Sequence, residues 1–262
     1  MADLATSFGD SADAYERGRP RYEPHVIAAI GDVLGGPRVL DVGAGTGRLA
    51  APLQQAGYDV VAVEPLDAMR AILVGHIGAA NALAGRAEAL PLDDASVDGA
   101  VCSDAWHWFD GARAAGELAR VVRPGGGVVV CVSHPRWTAA DGAPDWWLDL
   151  GAVHAALPKG DHPYFSALRA ADARKPSMPP AGLADHPAFE PLSRRDEPFV
   201  HHTNREEIVA HWASMSFVAT LPPGQREDFL RELDGMLARR GVERVDIPYR
   251  AELWITRRRD AR

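Results

Sequence analysis

The stretch that decides the fold is VLDVGAGTGRL, residues 39–49. Apolar and β-branched residues surround one acid, Asp41, and glycines follow at Gly43, Gly45 and Gly47. This order predicts a buried strand that runs into a tight turn and then into a helix. Because glycine lacks a Cβ, the turn can adopt positive φ angles and bring its backbone amides close to a ligand.

The glycine spacing bears on which ligand the turn accepts. In the dinucleotide-binding pattern G-x-G-x-x-G the third glycine follows the first by five residues, whereas Gly47 follows Gly43 by four. The pattern D-x-G-x-G-x-G resembles motif I of class I S-adenosylmethionine (SAM) dependent methyltransferases. The resemblance implies SAM as the cofactor, with its amino acid end held by Asp41, Gly43, Ala44 and Gly45. An ordinary glycine-rich strand-to-helix turn is the alternative.

Length and composition favour one large α/β domain, or such a domain with an inserted subdomain. The formal net charge of −8 over 262 residues argues against a large nucleic-acid footprint. The basic run at residues 257–259 is expected to be a solvated terminus. His201 and His202 have no third ligand at metal-binding spacing, so we expect no metal site.

Features of the sequence also bear on the location of the protein. Cys102 and Cys131 both lie in apolar runs and are expected to be buried, reduced thiols, which is typical of cytoplasmic proteins. The chain begins without a basic segment followed by an apolar run, and no stretch approaches the roughly 18 apolar residues of a membrane span. We therefore expect a cytoplasmic protein with neither a membrane nor a nucleic acid as partner. The oligomeric state stays open.

The N-terminal segment FGDSADAYERGRPRYEP, residues 8–24, precedes a predicted helix and the first strand. It resembles the F-x-x-x-A-x-x-Y-x-x-x-R-P-x-Y segment of the methyltransferase 11 type, the subgroup with trans-aconitate methyltransferase-like enzymes. In that subgroup the segment folds over the cofactor, which implies that Tyr15 and Arg19 contact the methionine part of SAM. The alternative for Tyr15, Arg19 and Tyr22 is packing at the sheet edge.

After the glycine turn, a helix is predicted over residues 48–56 and a second strand over residues 58–63. Glu64 ends that strand and Pro65 follows it. An acid at this point, about 20 residues past the turn, can accept hydrogen bonds from both hydroxyls of a ribose. NAD enzymes share this feature with methyltransferases, so it supports a nucleoside ligand without choosing between them.

The segment of residues 84–110 carries the next two landmarks. Arg86 to Leu92, RAEALPL, resembles the G-x-A-E-x-L-P element that contacts adenine in these methyltransferases. The resemblance implies a backbone N–H contact from Ala87 and an acceptor at Glu88. A fourth strand is predicted over residues 97–102, with Ser103 at its carboxyl end as a further cofactor contact.

The sequence SDAWHWFD, residues 103–110, leaves that fourth strand at the end where open α/β sheets bind ligands. It resembles the A-x-x-x-H-W-F-D variant of motif IV. Trp106 and Trp108 are interpreted as walls of the acceptor site, with His107 as a catalytic residue that takes a proton. The alternative for His107 is a hydrogen-bonded structural residue.

A helix over residues 110–122 and a fifth strand over residues 128–133 are predicted next, joined by the E-x-x-R-V-x-R-P-G-G element of class I methyltransferases. The following residues 135–198 contain ten of the twenty prolines, which disfavours long regular elements. We interpret them as an ordered cap over the acceptor site, lined by Trp137 and Trp146, with a plain surface excursion as the alternative. A sixth strand, helices over 204–214 and 225–240, and a last strand over 246–256 complete the chain.

Together these observations predict an α/β, Rossmann-like fold with a seven-stranded, mostly parallel sheet flanked by helices and a cap inserted between strands five and six. The predicted domains are residues 1–134, an N-terminal segment with the SAM-binding core; 135–198, the cap; and 199–262, the completion of the sheet. The predicted function is methyl transfer from SAM to carbon, oxygen or nitrogen of a small molecule. The alternatives are an NAD-dependent oxidoreductase and a SAM-binding protein without turnover.

Overall fold

The computed structural model describes residues 11–137, 142–155 and 178–260, the side chains of 151–155 excepted. The chain divides into two compact units. The core unit comprises Tyr22–Ser133, Ser177–Phe199 and Arg250–Arg262. The companion unit comprises Met1–Arg21, His134–Pro176 and Val200–Tyr249. The predicted domain boundaries at residues 134 and 198 stay a prediction.

Seven strands and nine α-helices are described within these ranges. The strands are β1 (Arg38–Val42), β2 (Asp59–Val63), β3 (Ala82–Leu83), β4 (Val97–Ser103), β5 (Val122–Pro135), β6 (Ser193–Asn204) and β7 (Arg244–Arg257). The helices are α1 (Ala12–Gly18), α2 (Pro24–Leu34), α3 (Ala50–Gln55), α4 (Asp67–Ile77), α5 (Gly111–Val121), α6 (Asp145–Ala155), α7 (Arg205–Ala213), α8 (Ser216–Ala219) and α9 (Pro223–Arg239). A 3₁₀ turn covers Trp106–Trp108.

The strands form one seven-stranded sheet in the order β3-β2-β1-β4-β5-β7-β6. β1 lies between β2 and β4 and is parallel to both, and the β2–β3 and β4–β5 pairs are also parallel. The strand order reverses direction at β1 and β4, which is where open α/β sheets bind ligands beyond their carboxyl ends. The predicted seven-stranded, mostly parallel sheet is therefore confirmed.

The helix after the glycine turn begins later than the sequence predicts. It starts at Ala50 instead of residue 48. The turn before it contains Gly43, Gly45 and Gly47, whose φ angles are 68°, 58° and 93°. The turn is two residues longer than predicted, and more backbone is available at the carboxyl end of β1.

The fifth strand is longer than predicted. α5 ends at Val121, and Val122 already pairs with Val97 of β4 before Gly127 pairs with Gly99. The residues between Val122 and Gly127 form a bulge, which shifts the pairing register between β4 and β5. Gly127 is required there, since a Cβ at this position would lie 2.0 Å from the Val33 carbonyl oxygen.

In the companion unit, α7 begins with a capping box formed by Asn204 and Glu207. The helix starts at Arg205, one residue after the predicted start at residue 204. Asn204 still has extended backbone angles (φ −133°, ψ 174°) because β6 continues to that residue. α7 packs against α1 and α9, and a Cβ on Gly18 of α1 would lie 2.0 Å from the His211 backbone nitrogen.

The apolar core of the core unit is built mainly from alternate residues of β1, β2, β4 and β5 and from the buried face of α5. Cys102 and Cys131 are both buried free thiols, which confirms their prediction as small core residues. This packing holds the carboxyl ends of the four central strands in fixed positions, and the candidate functional residues follow them.

Candidate functional site

The glycine turn after β1 is held against the end of β2. The N–H groups of Gly43 and Ala44 both donate to the Val63 carbonyl oxygen, at 2.9 and 3.2 Å. A Cβ on Gly43 would lie 2.9 Å from the Ala105 Cβ, and one on Gly47 would lie 2.8 Å from Leu73 Cδ1. Glycine is thus required both by the positive φ angles and by the close approach of neighbouring side chains.

Glu64 is fixed at the end of β2 by two backbone amides. Its Oε2 accepts from Gly45 N–H at 2.9 Å, and its Oε1 accepts from Leu66 N–H at 2.9 Å. Burial raises the pKa of Glu64 above its usual value, while the Leu66 and Gly45 amides and the charge of Arg70 oppose that rise. Each carboxylate oxygen retains capacity for a further hydrogen bond, so Glu64 can serve the turn and a ligand together.

Asp41 lies at the carboxyl end of β1, is 1 % exposed, and neither of its carboxyl oxygens has a hydrogen-bond partner among the described residues. Burial raises its pKa to about 7, and the negative charge of Glu64 adds to the effect. The Ala50 amide opposes the rise, although it does not reach hydrogen-bond geometry. Buried polar groups are normally paired, so this carboxyl lacks the partner that its burial requires.

The adenine-side candidates Ala87 and Glu88 follow β3. Ala87 is buried. Glu88 Oε1 accepts from Asp110 N–H at 2.9 Å, and its Oε2 lies 3.5 Å from Arg86 Nε. Asp110 in turn caps α5 by accepting from Arg113 N–H. Glu88 therefore already links its loop to the start of α5.

The loop after β4 carries four aromatic residues, and three of them, Trp106, His107 and Trp108, are predicted site residues with different surroundings. Trp106 is 9 % exposed, packs edge-on to Phe109, and its Nε1–H donates to the Ala181 carbonyl oxygen at 3.1 Å. His107 is exposed, with its ring centroid 4.8 Å from that of the half-buried Trp108. Of the two predicted acceptor walls, Trp106 thus belongs to the core, and Trp108 has the surface to contact an acceptor.

Four of the predicted residues, Tyr15, Arg19, Trp137 and Trp146, lie in the companion unit. The Arg19 guanidinium lies 4.9 Å from the ring centroid of Tyr15, and its Nε donates to Ser214 Oγ at 3.1 Å. Trp137 and Trp146 do come together, at 5.7 Å between ring centroids, and Trp147 completes a group of three edge-on rings.

The sequence interpretation missed a polar cluster at the carboxyl ends of β4 and β5. The Tyr22 hydroxyl is 2.6 Å from Ser103 Oγ and 2.8 Å from Ser133 Oγ, and it donates to Asp104 Oδ2 at 3.4 Å. We call Tyr22, Ser103, Asp104 and Ser133 the hydroxyl cluster. The available signal was a serine at or near the carboxyl end of each strand, since Ser103 ends β4 and Ser133 lies two residues before the end of β5. The sequence does not show that Tyr22 reaches both serines.

The basic run at residues 257–259 is not simply a solvated terminus. Arg257 donates to the Gly125 carbonyl oxygen at 3.2 Å, Arg258 to that of Val122, and Arg259 to that of Phe189 at 2.7 Å.

Among the described residues, no three potential ligand side chains are arranged to hold a metal ion. The helices in the described ranges are all too short or too polar to span a membrane.

Comparison with known proteins gives consistent matches. Residues 40–130 match a family described as a methyltransferase domain. An uncharacterized methyltransferase of Mycobacterium tuberculosis is 44 % identical over 151 residues, 58 % of this chain and 60 % of that protein. An uncharacterized methyltransferase-like protein of Schizosaccharomyces pombe is 30 % identical over 237 residues, 88 % of this chain and 86 % of that protein. The chain thus matches about 60 % of the length of the mycobacterial relative.

Among solved structures, a candidate type II methyltransferase from Anaeromyxobacter dehalogenans has a TM-score of 0.60 at 22 % identity. The match covers 92 % of this chain and 97 % of that one. At this identity the similarity concerns the fold.

Proposed function

This chain belongs to the class I SAM-dependent methyltransferase family, and we propose that it transfers a methyl group from SAM to a small-molecule acceptor. The observation that carries the proposal is the buried Asp41 carboxyl, which has no hydrogen-bond partner among the described residues. SAM brings a sulfonium and an α-ammonium group, and an ammonium supplies the hydrogen-bond donors that this carboxyl lacks.

The same carboxyl argues against a dinucleotide. The pyrophosphate of NAD is anionic and binds close to the glycine turn, where the ionised Asp41 carboxyl would repel it. The four-residue separation of Gly43 and Gly47 points in the same direction. SAM is therefore the better fit to the charges of this site.

The side chains and amides around the turn suggest how SAM would be held. We assign the amino acid end to Asp41 and to the turn at Gly43, Ala44 and Gly45, with Pro65 shaping the corner beside Glu64. Glu64 accepts from the ribose hydroxyls. We assign the adenine contacts to Ala87 and Glu88, and a further cofactor contact to Ser103. The contacts with the methionine part of SAM are assigned to Tyr15 and Arg19.

SAM supplies a methyl group activated by its sulfonium. The protein has to align the acceptor with that methyl group and exclude water. We assign the acceptor contacts to Trp108, Trp137 and Trp146. Trp106 is also assigned to the acceptor, with a smaller contact area because it is buried. His107 is assigned as the group that receives the acceptor's proton, and an acceptor that is already nucleophilic needs no such base.

Isothermal titration calorimetry with SAM, and separately with NAD, tests the cofactor. We expect SAM to bind and NAD not to bind, and the reverse result would favour an oxidoreductase. A SAM-binding protein without turnover is distinguished by incubating the protein with methyl-labelled SAM and an extract of the source cell. Absence of both S-adenosylhomocysteine and labelled product would support that alternative.

The remaining assignments extend the proposal. The residues 8–24 pattern supports membership of the trans-aconitate methyltransferase-like subgroup. The two buried free thiols support a cytoplasmic location. Arg257 and Arg259 donate hydrogen bonds to backbone carbonyl oxygens of the protein itself, which supports a small molecule over a nucleic acid as partner.

A further inference from the structure

The hydroxyl cluster borders the glycine turn on the side away from Glu64. Asp104 directly precedes Ala105, whose Cβ would be 2.9 Å from a Cβ on Gly43. In the sheet, β4 flanks β1 on one side and β2 flanks it on the other. A ligand held by Asp41 and Glu64 therefore has the ends of β4 and β5 as its other neighbours.

The hydrogen bonds within the cluster leave one acceptor under-used. Asp104 Oδ1 accepts from Ser133 N–H at 2.8 Å, whereas Oδ2 accepts only the 3.4 Å bond from Tyr22 among the described residues. A carboxylate oxygen can accept two hydrogen bonds, and a hydroxyl can donate one and accept two. Asp104, Ser103 and Ser133 are only partly buried. The cluster can thus accept a hydrogen bond from a bound molecule.

The backbone at Asp104 is held in an unfavourable conformation. Its φ angle is +50°, and Ala95 is the only other non-glycine residue in the described part of the chain with positive φ. Asp104 N–H donates to the Cys131 carbonyl oxygen at 2.9 Å, so the turn is tied to β5 through both backbone and side chain. Such strain persists where surrounding contacts over-determine it, and it is concentrated at functional sites.

Tyr22 acts as a neutral member of the cluster. Burial raises the pKa of Tyr22 well above its usual value of 10.0, and the charge of Asp104 raises it further. The phenol therefore keeps its proton and orients the serine hydroxyls and Asp104 without supplying a charge.

We propose that the hydroxyl cluster is the acceptor-side subsite and that it binds a nucleophile with a hydrogen to donate, a hydroxyl or an amine. The inference deepens the proposed function and rests on it. Asp104 Oδ2 accepts a hydrogen bond from the nucleophile, and Tyr22, Ser103 and Ser133 hold Asp104 in place. An amine keeps a second hydrogen for His107, whereas a hydroxyl has a single hydrogen, which it gives to Asp104 and not to His107.

The test uses two ligands that need no acceptor. In sinefungin, a carbon that bears a protonated amine replaces the sulfonium sulfur and its methyl group. In S-adenosylhomocysteine the sulfur is neutral and has no methyl group. We expect the wild-type protein to bind sinefungin more tightly than S-adenosylhomocysteine in calorimetry. Asp104→Asn should reduce that preference by about tenfold, because a charge-assisted hydrogen bond is lost.

Control variants separate the subsite from general damage. Asp94→Asn makes the same chemical change at a surface acid paired with Arg120, and it should leave both affinities unchanged. Tyr22→Phe removes one hydroxyl from the cluster and should also reduce the preference for sinefungin, while Tyr58→Phe should not. If Asp104→Asn does not fold, as judged by thermal unfolding, Tyr22→Phe alone provides the test.

The possible outcomes are distinct. An unchanged preference in Asp104→Asn, or an equal loss of affinity for both ligands, would overturn the subsite. Failure of the wild type to bind either ligand would overturn the proposed function itself, and the subsite with it. With methyl-¹³C SAM and cell extract, the carbon shift of the transferred group separates O-methyl and N-methyl products, which support the acceptor class, from a C-methyl product, which overturns it.

Discussion

The carboxyl ends of β1 and β2 differ from those of β4 and β5 in how they are built. At β1 and β2 the contacts are local: Gly45 and Glu64, 19 residues apart, share a hydrogen bond. At β4 and β5 the contacts are remote, since Tyr22 reaches Ser103 across 81 residues and Ser133 across 111. The first pair of strand ends carries a recognisable motif, and the second is assembled only by folding.

The two regions also differ in charge. Asp41 and Glu64 place two carboxyls in a buried position, of which only Glu64 has hydrogen-bond partners among the described residues. The hydroxyl cluster combines three hydroxyls with one acid, and its members are bonded to one another. This contrast suggests that the first region fixes the cofactor and the second selects the acceptor, and four predictions test that separation.

The largest effect is expected for His107→Ala on the acceptor side. If His107 receives the proton of the acceptor, turnover should fall by about 100-fold or more, a typical contribution of general base catalysis. SAM affinity should stay the same. Initial rates with the acceptor identified from the cell extract, and calorimetry with SAM, measure the two quantities. His202→Ala, another exposed histidine, is the control, and an unchanged rate in His107→Ala would return that residue to a structural role.

Next in size is Glu64→Ala on the cofactor side. Its loss removes the ribose acceptor and leaves the Gly45 and Leu66 amides without their partner, so SAM affinity should fall by about 10- to 100-fold. Calorimetry with SAM measures this, with circular dichroism to verify folding. Asp59→Ala, an exposed acid at the opposite end of β2, should bind SAM normally. Equal SAM affinities of Glu64→Ala and the wild type would contradict the division of roles.

The third prediction concerns the titration of Asp41. Its pKa is about 7 in the folded protein against a usual 3.8, so the folded state holds the proton more tightly than the unfolded state. The free energy of unfolding should therefore decrease as pH rises between about 4 and 7, by at most about 4 kcal/mol. Urea unfolding of the ligand-free protein at several pH values measures this slope.

Asp41→Asn should flatten that slope and stabilise the ligand-free protein at pH 8, while weakening SAM binding. SAM favours the charged carboxyl, so its binding to the wild type near pH 7 should release a proton. Calorimetry in two buffers with different ionisation enthalpies detects that release. A stability profile of the wild type that is flat between pH 4 and 7 would count against the buried carboxyl as described.

The smallest effect is expected for the two tryptophans of the 3₁₀ turn. Trp106→Phe leaves the Ala181 carbonyl oxygen without its indole donor, and it should lower the free energy of unfolding by about 1–3 kcal/mol. Trp108→Phe should change it by less than about 0.5 kcal/mol, as is usual for partly exposed positions. Urea unfolding compares the two. Equal losses would mean that both rings are structural and that neither is reserved for the acceptor.

The fold could be predicted in outline because its determinants are local. Alternation of buried strands with helices, the glycine turn and the acid at Glu64 all depend on residues close together in the chain. The errors were also local, and they came from backbone geometry. The helix after the turn starts at Ala50 instead of residue 48, and α7 starts at Arg205 instead of residue 204 because β6 continues to Asn204.

The candidate site was predicted in part. The orphaned state of Asp41, the link from Glu88 to Asp110 and the burial of Trp106 depend on which neighbours the fold supplies. Residue type alone could not show which of Trp106 and Trp108 is buried, since the two tryptophans are only two positions apart in the same aromatic loop. Their different surroundings result from the close packing of residues 181–183 against the start of α5.

The sequence by itself determined the family and the position of the glycine turn, because a glycine pattern and a following acid are constraints within one βαβ unit. Only the tertiary structure decided the surroundings of these residues. Tyr22, Ser103, Asp104 and Ser133 become one cluster because parallel strands bring their carboxyl ends to the same edge of the sheet. Burial, which fixes the pKa of Asp41 and leaves its oxygens unpaired, is likewise a property of the packed chain.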